Sequence, residues 1–171
     1  MSPTPPLKPL AADERPVYAV AGGNHVTLLL DRGATASAFD VIDVLAQPGG
    51  GPPPHRHAFG EWFHVGQGEL TISEERDGTV VCTRRLTAGD SVFVPPWIVH
   101  GTLNLSDAPA RFQVIGQPGA MTGYFIEAGV PVADEHTPPD HPPAGPAELG
   151  EIAARWGIEF WSGPVDTTPV A

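Results

Sequence analysis

A single cysteine, Cys82, stands in a chain of 171 residues, which excludes an internal disulfide. With no Cys-x-x-Cys pair, the sequence offers neither a zinc ribbon nor a dithiol redox centre. Positive charge is scarce as well: 9 Lys and Arg against 20 Asp and Glu give a formal net charge of −11. No basic cluster occurs, so nucleic acid and anionic membrane surfaces would be repelled, and the expected partner is a small molecule or a second copy of the chain. No apolar run approaches the roughly 20 residues of a transmembrane helix. The opening MSPTPPLKPLAADERP lacks the basic-then-apolar order of a signal peptide, and a cytoplasmic location is the resulting expectation.

What the chain does have is ordinary apolar content, 41%, and room for one domain with a core. Short runs of Val, Thr, Phe and Ile separated by Gly, Pro or Asp predict strands over Val17–Val20, His25–Leu30, Ala38–Leu45, Pro54–His57, Glu61–Val65, Glu69–Glu74, Thr79–Leu86, Ser91–Val94, Val99–Leu103 and Ala110–Ile115. Such a succession argues for an all-β sandwich or barrel. Asp77-Gly78 tolerates the positive φ of a two-residue hairpin turn and joins two of these strands. The composition divides the chain into a Pro-rich arm (residues 1–15), a barrel (16–130), a Pro-rich linker (131–146) and a C-terminal helix and tail (147–171). Within the barrel region, Met121–Ala128 reads as a short helix presenting Tyr124 and Phe125. In Ala147–Trp156 the residues Leu149, Ile152, Ala153 and Trp156 recur at helical spacing, a stripe expected to dock by packing.

Chemistry concentrates in two Gly-bracketed blocks. In GGGPPPHRHAFGEWFHVGQG, His55 and His57 are two apart and Glu61 keeps their parity; in GDSVFVPPWIVHGTLN, His100 lies eleven residues after Gly89. Residues two apart on a strand share a face, so His55 and His57 can share a metal. Gly60 marks a turn or bulge that allows Glu61 to approach from a second strand. An isolated His-x-His is commonly a pair of surface histidines; the added glutamate and distant histidine favour a metal site. Three imidazoles and one carboxylate suit one divalent transition ion, Fe, Mn, Co, Ni or Zn, better than Mg or Ca. His64, of opposite parity to Glu61, is expected to face away.

Both blocks resemble the two signature motifs of the cupin superfamily, small jelly-roll barrels that hold a metal on three His and one Glu. The resemblance implies a cupin barrel with short C-terminal helices, and His55, His57, Glu61 and His100 as ligands. The second block departs where the family has Pro-x-Gly and this chain has Pro95-Pro96-Trp97. A glycine there would permit a positive φ that Trp tolerates poorly, so the turn before His100 is expected to differ in shape. The segments PGAMTGYFIEAG and ELGEIAARWGIEFW extend the resemblance toward bacterial quercetinase-like cupins, which cleave flavonols with dioxygen.

That likeness makes a metal-dependent dioxygenase the leading expectation, acting on a flavonol-like or other aromatic, hydroxyl-bearing molecule, with dioxygen as co-substrate. Glu61 is then both ligand and catalytic base for a substrate hydroxyl. Phe63, Trp97, Phe112, Tyr124 and Phe125 are candidates for an apolar substrate pocket, Trp97 at its rim. Two alternatives stand beside this: a polyketide cyclase or isomerase using the metal as a Lewis acid without oxygen, and a non-enzymatic small-ligand-binding module with a structural metal. Exposed strand edges and the Pro-rich arm further suggest a homodimer.

Overall fold

The computed structural model describes residues 11–169; the first ten residues of the expected arm lie outside them. In chain order the strands are β1 (Val17–Val20), β2 (Asn24–Leu30), β3 (Asp40–Ala46), β4 (His55–Arg56), β5 (Gly60–Gln67), β6 (Glu69–Arg76), β7 (Thr79–Thr87), β8 (Ser91–Val94), β9 (His100–Leu103) and β10 (Ala110–Gln117). They are followed by α1 (Met121–Ala128), β11 (Val130–Val132), α2 (Pro146–Arg155), β12 (Glu159–Phe160) and β13 (Val165–Asp166). Two sheets form, ordered β11-β1-β2-β3-β10-β5-β8 and β12-β4-β9-β6-β7-β13. They curl against each other as a jelly roll, with all but one pairing antiparallel.

Period-two alternation decides what the interior holds. On β10, Phe112 and Val114 are buried between exposed Gln113 and half-buried Ile115; on β5, Glu61, Phe63 and Val65 point inward while Trp62 and His64 stack on the outside at 5.4 Å. One continuous core joins Val26, Leu28, Ile42 and Val44 to Phe63, Leu70, Ile72, Leu86 and Val114. The β6–β7 hairpin turns at Asp77-Gly78, both with positive φ (51° and 82°), as the dipeptide predicts.

Ten strands and both helices fall where the sequence predicts them, with ends shifted by at most two residues. Three strands do not. β11 takes up the start of the expected linker, so the barrel extends past residue 130; Pro131 is accommodated because β11 is an edge strand, where a missing N–H costs nothing. β12 and β13 lie in the expected tail. Each is two residues long and exists only through its pairing, with β4 and β7 respectively.

Asp40 positions a wall of the interior. Fully buried on β3, it accepts hydrogen bonds through Oδ2 from the backbone N–H (2.8 Å) and hydroxyl (3.1 Å) of Thr122, fixing the first turn of α1 over the barrel end. Burial pushes its carboxyl above the usual range, against the lowering effect of the Thr122 hydrogen bonds.

Candidate metal centre

His55 on β4 stands directly opposite His100 on β9, with ring centroids 4.6 Å apart. His57 follows just after β4, stacked on Phe59 at 3.6 Å. His55 and His100 belong to the six-stranded sheet, and His57 to the segment that leaves it. Glu61 arrives from β5 of the other sheet, as the Gly60 break anticipates, so the cluster ties the two sheets together. One donor atom from each of the four residues lies within 4.8 Å of all the others. His57, Glu61 and His100 are buried, and His55 is partly so.

The hydrogen bonds define which ring nitrogens face inward. Nδ1 of His55 meets the Pro53 carbonyl at 2.8 Å, Nδ1 of His57 meets that of Phe59 at 2.8 Å, and Nδ1 of His100 meets that of Ile98 at 2.9 Å. A carbonyl only accepts, so each Nδ1 carries the proton and each Nε2 presents a lone pair to the interior. Glu61 Oε2 lies 3.2 Å from Nε2 of His57 and 2.9 Å from Nε2 of His100. Two lone pairs converging on a carboxylate repel unless a ring Nε2 takes up a proton or a cation sits among them. A divalent ion supplies that cation, and the outer carbonyls fix the rings as second partners do in metal sites. The donor set therefore fits a transition-metal ion, as the resemblance implied.

Burial, reinforced by the neighbouring His100, lowers His55 to about 4, so its imidazole is neutral near pH 7. Without an ion, burial would raise Glu61, but the hydrogen bonds it then accepts from His100 and His57 hold it far below the usual carboxylate range, and it stays anionic. Burial lowers His100, yet the Glu61 hydrogen bond and charge outweigh it and leave the ring above its ordinary value.

The four donors open into a cavity of about 130 Å³ with otherwise mainly apolar walls. Phe63, Phe112, Tyr124 and Phe125 line it. Trp97 does not: it is 56% exposed, away from the cavity, and the expected rim position is corrected. The expected change of turn shape is corrected too. Trp97 takes φ of +67°, the conformation glycine would supply, and its N–H donates to the His57 carbonyl at 2.8 Å. That bond and its exposed indole let a poorly suited residue hold the turn. The wall residues that sequence reasoning missed are Leu149, Ile158 and Phe160. Leu149 had a signal in the helical stripe, read there as packing alone; the other two had none.

Residues 43–116 match the family model described as Cupin domain. Among solved structures, the chain is similar to the polyketide cyclase RemF from Streptomyces resistomycificus, with 21% identity and a TM-score of 0.55 over 65% of this chain and 79% of that one. An RmlC-like cupin from Shewanella frigidimarina gives 22% identity and a TM-score of 0.53 over 64% and 89%. KdgF from Halomonas sp. gives 21% and 0.53 over 63% and 92%. At these identities the likeness is one of fold. No curated protein matched the sequence. The domain match spans residues 43–116, and the fold around it is a cupin jelly roll. Among the described residues, no helix is long and apolar enough to cross a membrane.

Proposed function

We propose that the chain is a metal-dependent dioxygenase acting on an aromatic, hydroxyl-bearing small molecule. The observation that carries this reading is the convergence of three imidazoles and one carboxylate at the floor of an otherwise mainly apolar cavity. His55, His57, Glu61 and His100 would hold the ion, which when bound would polarise a substrate oxygen and, if redox-active, exchange electrons.

The remaining chemistry belongs to the chain itself. Phe63, Phe112 and Phe125 offer ring faces and edges to a flat apolar ligand and exclude water around it. Glu61, held anionic, accepts the proton of the substrate hydroxyl; Oε2 is engaged by two histidines, and Oε1 has no hydrogen-bond partner among the described residues. Removing that proton makes the aromatic ring electron-rich, the condition for attack by dioxygen.

An oxygen electrode tests the reading. Protein reconstituted in turn with Fe²⁺, Mn²⁺, Co²⁺, Ni²⁺ and Zn²⁺ should consume oxygen with at least one member of a panel of phenols, catechols and flavonols. Turnover with no oxygen uptake would replace the proposal with Lewis-acid cyclisation or isomerisation. Binding without turnover would make the chain a ligand-binding module.

A further inference from the structure

The metal donors lie within the stretch that matches the cupin domain, but part of the cavity wall does not. Leu149 of α2, Ile158, and Phe160 of β12 come from a segment well beyond residue 116, and all three face the same cavity as His55 and Glu61. β12 pairs with β4, the strand that carries His55, and sets Phe160 opposite His55 with their rings edge-on at 6.4 Å.

The size of the cavity gives this wall its meaning. Ligand pockets typically measure roughly 300–1,000 Å³, whereas an apolar cavity of about 150 Å³ holds one benzene. At about 130 Å³, this partly open cavity accommodates about a single ring near the donors. A wider ligand must press against the wall beside the donors or extend past it through the open side. Most barrel strands are paired on both sides, whereas β12 is a two-residue edge strand. It is held by the exposed Arg56–Glu159 ion pair (2.8 and 2.6 Å) and by the Trp161 N–H on the Pro54 carbonyl (2.8 Å). An exposed pair of this kind contributes little. The segment's firm anchor is at its other end. Trp156 packs so tightly on Gly123 of α1 that a Cβ there would lie 2.1 Å from the indole, and its Nε1–H donates to Glu127 at 2.7 Å.

We propose that Leu149, Ile158 and Phe160 form the size-selecting wall of this cavity, with Phe160 setting the width admitted beside His55. The proposal rests on the reading that the cavity receives a small molecule at the metal donors, and it concerns which molecules enter, not the reaction they undergo.

Calorimetric titration of the full-length, Co²⁺-loaded protein with catechol and with 2,3-dihydroxynaphthalene tests it. The wild-type protein should prefer the one-ring probe. Phe160→Ala should move the ratio of the two dissociation constants about tenfold or more toward the two-ring probe, the scale on which apolar pockets discriminate. Leu149→Ala should move it the same way, and Co²⁺ stoichiometry should stay at the wild-type value. Phe160→Leu, which keeps an apolar side chain, gives a smaller shift in the same direction if the alanine variant fails to fold. A ratio within twofold of wild type in these folded variants would overturn the proposal, as would failure of both probes to bind any of the proteins. Probes that bind with a shifted ratio but no oxygen uptake would leave the selecting wall standing and remove only the dioxygenase reading. Low Co²⁺ stoichiometry in the wild-type protein would instead strike the metal assignment.

Discussion

At each of the three histidines a backbone carbonyl two residues away accepts from Nδ1, so the inward Nε2 is fixed by local chain geometry before any ion arrives. Replacing His55, His57 or His100 with Ala should therefore abolish stoichiometric metal, measured by elemental analysis, while circular dichroism retains the β signal. Much of the core is built elsewhere, from residues such as Val65, Leu70 and Val80. Metal retained at wild-type stoichiometry in all three would refute the assignment. Glu61→Gln separates ligation from base chemistry: size and one oxygen remain, while charge and basicity go. Turnover should fall by about 10²–10⁴, the usual contribution of general-base catalysis, with a smaller loss of metal. Unchanged turnover would mean the proton goes to another group.

A pH dependence follows from His55. Its folded-state value of about 4 lies below the ordinary histidine value near 6.5. Between these limits the unfolded chain binds a proton that the folded chain does not, so stability is present above about pH 6.5 and is lost as pH falls toward 4. His100 shifts upward, so its contribution changes only above the ordinary histidine value and does not mask this window. In chelator-treated protein the melting temperature should drop between pH 6.5 and 4, and in His55→Gln it should drop less. Equal slopes in both proteins would show that His55 is not held neutral by the fold.

Strands were legible in the sequence wherever alternation ran for four residues or more, and the four candidate metal donors because their combination and spacing are unusual although no one of them is. β12 and β13 were not legible: a two-residue strand has no period, and its partner decides it. The same holds for Ile158 and Phe160, which look like ordinary core residues until the fold brings them to His55. Trp97 failed for a different reason. Sequence preference correctly marked its conformation as unfavourable, but a hydrogen bond to His57 and freedom from packing overrode the preference. The turn is thus a strained element. A non-glycine residue at positive φ costs roughly 1–2 kcal/mol, and an indole 56% exposed gives up little on removal. Trp97→Gly should raise stability by up to about 1 kcal/mol after the added flexibility of glycine in the unfolded chain is deducted. Metal content and probe binding should not change. A lower melting temperature, or weakened probe binding, would return Trp97 to a packing or pocket role.

At the scale of the molecule, charge and apolar surface pull in opposite directions. A net charge of −11 drives copies apart. Against this, the outer face of the seven-stranded sheet carries Val41, Ile115, Trp62 and Phe93 in one cross-strand row, ending at the edge strand β8. Phe93 is 58% exposed, and Trp97 and Ile98 just beyond β8 are exposed as well. The expected homodimer would cover this row and edge. The smaller sheet is a poorer candidate, since the short C-terminal strands β12 and β13 already take its edges. Two bodies of like charge joined through an apolar face have a distinct salt response. Raising ionic strength from 0.01 to 0.15 M shortens the screening length from about 30 to about 8 Å, so repulsion weakens while apolar contact does not. Light scattering should therefore show dimerisation that strengthens with salt, the reverse of an interface held by ion pairs. Phe93→Asp should shift the protein to monomer, whereas Leu105→Asp, on the loop between β9 and β10, should not. A protein monomeric at every concentration and salt, or a dimer untouched by Phe93→Asp, would reject this face.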